Sequence, residues 1–199
     1  TNTPVFTVKG EMTLEDSSED QTGWITGGTP ATDGRGGCFY LEKGSLIMNG
    51  GTIGPSASGG GIYVKYKDSS FVMHGGRITK NKASAISVWQ GSFRMTGGEI
   101  TGNSADHGGG IYAWGSANIN IEGGKITGNS ANQGTGVYGW GGAKIRIDGG
   151  EIIGNSGNQG TGLYVQGRLD ITGGRICDNK ASNYGGGIYL WNGTCNIRW

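Results

Sequence analysis

The sequence predicts an all-β solenoid: a right-handed, single-stranded parallel β-helix of about seven coils of roughly 25 residues, with three short strands per coil. Two observations carry this expectation. Glycine supplies 45 of 199 residues, with only 3 prolines and no Gly-X-Y period, which excludes collagen. A glycine-rich aliphatic-tyrosine unit recurs as GGGIYV at Gly59, GGGIYA at Gly108, GTGVYG at Gly134, GTGLYV at Gly160 and GGGIYL at Gly185.

The first apolar residue of each unit falls at Phe39, Ile62, Ile86, Ile111, Val137, Leu163 and Ile188, with intervals of 23, 24, 25, 26, 26 and 25. That period belongs to stacked repeats. Residues 1–36 fit it poorly and read as an N-terminal capping segment, in which VFTVKGEMTLED forms a possible irregular first coil. Residues 37–199 read as the repeats, continuing or truncated at the C-terminal end. The start at a threonine and the stop inside a repeat suggest a mature or trimmed fragment.

Each repeat holds short runs of period-two alternation and no helical period. In the coil from Ile111 the strands are IYAW, NINIE and KIT. On the first strand the inward column runs Ile62, Ile86, Ile111, Val137, Leu163, Ile188. The second strand buries Phe71, Phe93, Ile119, Ile145, Leu169 and Cys195, and the third Ile53, Ile78, Ile100, Ile126, Ile152 and Ile176. Gly-Gly-x-Ile opens the third strand at Gly50, Gly75, Gly97, Gly123, Gly149 and Gly173. An asparagine follows three residues after the isoleucine, at Asn81, Asn103, Asn129, Asn155 and Asn179. Asparagine tolerates left-handed backbone at a corner, and stacked amides bond from coil to coil.

The outward columns are where a solenoid offers function. Between the core positions of the first strand stand Tyr40, Tyr63, Ser87, Tyr112, Tyr138, Tyr164 and Tyr189. The next outward column is Glu42, Lys65, Trp89, Trp114, Trp140, Gln166 and Trp191. This register places 6 tyrosines and 4 tryptophans on one face as parallel stripes. Flat rings with a polar edge suit sugar faces, and equally a protein partner; they also stabilise strand pairs by stacking. A charged column, Arg77, Glu99, Lys125, Glu151 and Arg175, alternates in sign and reads as a structural ladder.

For an enzyme the best acidic pair is Glu122 and Asp148, at equivalent outward positions of adjacent coils. Their spacing is close to that of a retaining glycosidase pair. Their columns also hold Asn49, Thr96, Asn120 and Thr172, which is ordinary polar strand surface. Metal chemistry has little to work with, since His74 and His107 occupy different parts of the repeat. Cys38, Cys177 and Cys195 form no C-x-x-C pair and read as occupants of ordinary repeat positions. No cofactor is expected.

A balance of 16 Lys plus Arg against 15 Asp plus Glu gives no basis for electrostatic capture of nucleic acid or an anionic membrane. No apolar run reaches the roughly 18 residues of a membrane span.

The alternation of GGGIY with ITGNSA, repeated as ITKNKA, IIGNSG and ICDNKA, resembles the repeats of the polymorphic outer-membrane protein family, which pair Gly-Gly-Ala-aliphatic with Phe-x-x-Asn. Here Gly usually replaces the Ala and Ile the Phe. The resemblance runs from about Gly36 to Trp199 and implies a bacterial surface β-helix of pectate-lyase-like architecture. It further implies a secreted or cell-surface adhesin whose partner is a glycan or a host or cell-surface protein. It supplies no catalytic residue. A polysaccharide lyase or glycoside hydrolase and a structural spacer of a surface stalk are the alternative expectations.

Overall fold

A computed structural model describes residues 3–18, 22–30, 36–56 and 58–198. Among these residues every regular element is a strand and every strand pairing is parallel. No helix of the described residues is long and apolar enough to cross a membrane. The strands stack into sheets of 8, 8, 7 and 4 members, in each of which adjacent strands come from successive coils. The chain is a parallel β-helix.

The registers are those of the sequence columns. Ile62, Ile86, Ile111, Val137, Leu163 and Ile188 are successive partners in the first sheet. Phe71, Phe93, Ile119, Ile145, Leu169 and Cys195 are partners in the second, and Ile53 through Ile176 in the third. Their side chains, buried almost throughout, form one continuous apolar core. A one-residue slip of any strand would turn that column outward, so the core fixes the register.

Two features differ from the sequence expectation. The first is the number of turns. Six complete turns run from Phe39–Leu41 to Lys180–Tyr184, with an unfinished turn, Ile188–Leu190 and Thr194–Ile197, stacked beyond them. At the other end, Phe6–Val8, Glu11–Leu14 and Trp24–Ile25 pair with the next coil and add an irregular turn. The first two of these strands lie within VFTVKGEMTLED, the stretch read from the sequence as an irregular first coil.

The second difference is a fourth strand in four of the six turns, where three per coil were expected. Ser104–His107, Ser130–Gln133, Ser156–Gln159 and Lys180–Tyr184 form a sheet of their own. Their sequences, SADH, SANQ, SGNQ and KASNY, carry no β-branched residue and no apolar alternation, so local preference gives no strand signal. Stacking supplies what the sequence lacks: backbone pairing in register, a Gln133 to Gln159 amide bond of 3.1 Å and an Asn158 to Asn132 bond of 3.0 Å.

The corners explain the remaining invariants of the repeat. In each Gly-Gly pair the second glycine has a left-handed backbone, as at Gly98 (φ 81°) and Gly124 (φ 78°). The first has no room for a side chain: a Cβ on Gly97 would lie 2.2 Å from the His74 carbonyl oxygen one coil below. The asparagines form a buried ladder. Asn81 donates its side-chain amide to Asn103 at 2.9 Å, Asn103 to Asn129 at 3.0 Å, Asn129 to Asn155 at 3.1 Å and Asn155 to Asn179 at 2.9 Å. Each acceptor oxygen also takes the backbone N–H of the preceding rung's asparagine. The left-handed corner, expected at the asparagine, belongs instead to the residue just before it: Lys80, Gly102, Gly128, Gly154 and Asp178. The asparagines serve as hydrogen-bonding spines, not as the bend.

Candidate ligand-binding groove

The fourth strand of each of these coils turns sharply into the first strand of the next, and the corner builds a concavity along the stack. Gly108, Gly134, Gly160 and Gly185 make that corner with left-handed φ of 56–60°. A Cβ on Gly134 would sit 2.6 Å from the Tyr138 Cβ, so only glycine lets the corner close over the ring that follows. Consequently the outward tyrosines of the first sheet form the floor, facing residues from the ends of the fourth-sheet strands.

The floor is a ring stack. Centroids of Tyr112 and Tyr138 lie 5.3 Å apart, Tyr138 and Tyr164 5.0 Å, and Tyr164 and Tyr189 5.2 Å, with the first pair inclined by only 11°. Trp140 lies 6.1 Å from Tyr138 and Trp191 6.3 Å from Tyr189, forming one lip. Trp89 and Trp114 continue that lip, stacked at 6.1 Å. On the opposite wall His107 meets the Tyr138 ring edge-on at 5.1 Å and Tyr184 stacks on Tyr189 at 5.8 Å. Gln133 and Gln159 stand between them, and the concavity that these wall residues form with Tyr138, Tyr164, Tyr189, Trp140 and Trp191 measures about 660 Å³; Tyr112, Trp89 and Trp114 extend the aromatic face beyond it.

The aromatic face is thus graded in depth instead of being two equally exposed stripes. Tyr63, Tyr138 and Tyr164 are 1%, 6% and 4% exposed, whereas Trp114 and Trp191 reach 37% and 49%. Tyr40, Tyr112 and Tyr189, with Trp89 and Trp140, are half-buried. Tyr40 and Tyr63 pack edge-on at 5.6 Å, with the Lys65 ammonium 5.4 Å from the Tyr40 ring, outside the groove proper. The structure therefore brings Tyr112, Tyr138, Tyr164, Tyr189 and the four tryptophans together and leaves Tyr40 and Tyr63 apart. Burial, followed by the neighbouring phenols Tyr164 and Tyr112, pushes the Tyr138 hydroxyl pKa upward; burial and then Tyr189 do the same at Tyr164. Both phenols remain neutral hydrogen-bond donors far above neutral pH.

His107, Gln133, Gln159 and Tyr184 are wall residues that sequence reasoning did not place on this face. Their strand partnerships, His107 with Gln133 and Gln133 with Gln159, repeat at the same interval as the core columns. That interval was the available signal.

The acidic pair lies elsewhere, at the end of the second sheet, in an ionic network. Arg94 donates to both carboxylate oxygens of Glu122, at 2.8 and 2.6 Å, and Asn120 adds a further donor. Asp148 accepts from Arg146 at 2.5 Å and from the Thr172 hydroxyl. These partners hold both carboxyls below their ordinary pKa, Glu122 chiefly through Arg94 and Asp148 chiefly through Arg146 and then Thr172. A glycosidase acid needs the opposite shift so that it carries a proton near neutral pH. Glu122 and Asp148 are thus held toward their ionised forms within a charge ladder. The column from Arg77 to Arg175 is a second such ladder, with Arg77–Glu99 at 2.9 Å, Lys125–Glu151 at 3.8 Å and Arg175–Glu151 at 3.7 Å.

Among the described residues no three His, Cys, Asp or Glu side chains gather where they could hold a metal ion. His74 bonds Thr96 at 2.7 Å, remote from His107 in the repeat. The three cysteines are free thiols. Cys38 is fully buried, its pKa pushed up to about 11 by desolvation.

Comparison of the chain with protein-family models, curated proteins and solved structures returned no match.

Proposed function

We propose that this chain is a non-catalytic, extracellular, adhesin-like β-helix segment that holds a glycan lengthwise in the aromatic groove. The observation that carries this reading is the ring stack of Tyr112, Tyr138, Tyr164 and Tyr189 beside Trp89, Trp114, Trp140 and Trp191, concave from Tyr138 to Trp191. Aromatic faces bury the apolar C–H surface of sugars while the phenol, indole and amide groups at the rim bond their hydroxyls. Ring spacings of 5.0–5.3 Å along the floor suit an extended pyranose chain, whose units advance by a similar length. The resemblance to polymorphic outer-membrane protein repeats supports placement at a bacterial cell surface or in secreted form.

The test compares the parent protein with a Trp114→Ala plus Trp140→Ala variant on a glycan array, followed by isothermal titration of the strongest ligand. The expected result is glycan binding by the parent and a loss of at least about tenfold in the variant, since each exposed indole contributes on the order of 1 kcal/mol. Absence of glycan binding, or equal binding by both proteins, rejects the glycan reading. Capture of a purified host surface protein by the parent, lost in the same variant, would move the assignment to a protein partner.

A further inference from the structure

The tyrosine floor has one irregular place. In the tyrosine column Ser87 stands between Tyr63 and Tyr112, paired with both in register. The missing ring leaves a notch of about 460 Å³ lined by Ser84, Ser87, Ser104, Asp106, Lys82 and the ring of Tyr112 among others. His107 lines this notch and the aromatic concavity alike, so the two adjoin across its side chain. On the far side the aromatic face closes: Tyr63 is 1% exposed, and the tryptophan column gives way to Lys65 and Glu42.

We propose that the Ser87 notch is an end subsite, taking the terminal ring of the glycan whose following units lie along the aromatic floor. This inference rests on the glycan reading of the groove and deepens it. The notch replaces one aromatic ring by a space of saccharide size with Tyr112 as one wall. Its chemistry differs from that of the floor, being rich in hydroxyl, carboxylate and ammonium groups. The Ser84 hydroxyl is already committed to the His107 carbonyl oxygen at 3.0 Å and helps hold the wall in place. Ser87, 6% exposed at the base, bonds no other described side chain through its hydroxyl, and that group is available to a ligand. Asp106 accepts from sugar hydroxyls while Lys82 donates to them, a pairing that suits a neutral, polyhydroxylated ring. Beyond the notch the aromatic floor offers no further exposed ring, because Tyr63 is buried and Lys65 replaces the tryptophan. The ring there is the last of its chain.

The experiment uses linear cello-, chito- and xylo-oligosaccharides, together with whichever linear glycan binds most strongly on the array, each as short and long chains. Titration calorimetry reads affinity and stoichiometry for the parent, Ser87→Tyr, Ser87→Ala and Trp140→Ala. Ser87→Tyr restores the residue type that the column otherwise uses, so its fold is safe. The end-subsite proposal expects one parent molecule per chain end whatever the chain length. It expects affinity about tenfold weaker in Ser87→Tyr, and a smaller loss in Ser87→Ala. Stoichiometry that rises with chain length, or unchanged affinity in Ser87→Tyr while Trp140→Ala binds weakly, overturns the notch and leaves the groove standing. No glycan binding by the parent, or undiminished binding by Trp140→Ala, overturns the groove and the notch with it.

Discussion

Asn129 shows how much a single residue carries in a stacked fold. Its Oδ1 accepts the backbone N–H and the side-chain amide of Asn103, each at 3.0 Å, and its Nδ2 donates to the Ile100 carbonyl oxygen and to Asn155. All four groups are buried away from water. Asn129→Ala removes four buried hydrogen bonds and takes from the Asn103 backbone N–H its side-chain acceptor, and is expected to destabilise the fold by about 3 kcal/mol, measured by denaturant unfolding. Asn129→Asp keeps the acceptor for Asn103 but sets a carboxylate against the Asn155 oxygen, and should be worse. The opposite case is Lys80 and Asp178, which occupy left-handed corners that glycine fills in the three coils between them. Replacing either by glycine relieves that strain, partly offset by added freedom of the unfolded chain, and should raise stability by about 0.5 to 1 kcal/mol. A decrease in melting temperature would contradict the corner assignment. Sequence reading found the asparagine column and its ladder but put the bend one residue late, because asparagine and the residue before it share the same short corner.

At the scale of elements, three sheets were legible in the sequence and the fourth was not. The first three alternate apolar and outward residues with period two, so burial announces them. The fourth is held by ladders between coils, and its strands look like loops until their neighbours are stacked on them. That omission also hid one wall of the groove, since His107, Gln133, Gln159 and Tyr184 all come from the fourth sheet. It accounts for the burial of Tyr138 and Tyr164 too, for the wall residues face them across the same concavity. On the second sheet, Glu122, Asp148 and Asp170 have depressed pKa values, chiefly through hydrogen bonds from Arg94, Arg146 and Arg168 respectively. Carboxyls lowered on folding stabilise the native state above their unfolded pKa, and that contribution disappears as pH falls through the folded value. Melting temperature should therefore drop on acidification below about pH 4.5, less steeply in a Glu122→Gln, Asp148→Asn, Asp170→Asn variant. High salt should shrink the difference because these pairs are solvent-exposed. Identical acid profiles for parent and variant would show the ladder to be neutral to stability.

At the scale of the whole molecule, stacking converts one 25-residue design into a surface that is periodic along the axis. Every core column repeats without a shift from coil to coil in the first three sheets, and the groove inherits that period. The aromatic floor and lip run from the Ser87 coil to the Tyr189 coil, five coils that span about 20 Å at the spacing of parallel strands. A ligand that lies along this face gains contacts with every unit added until the floor is filled. The decisive measurement is a titration of the parent protein with a length series of the linear oligosaccharide it binds best. Affinity should climb with each sugar unit up to about five units, the number of coils in the groove, and then level off. Affinity independent of length, or absent at every length, would contradict an axial glycan-binding groove.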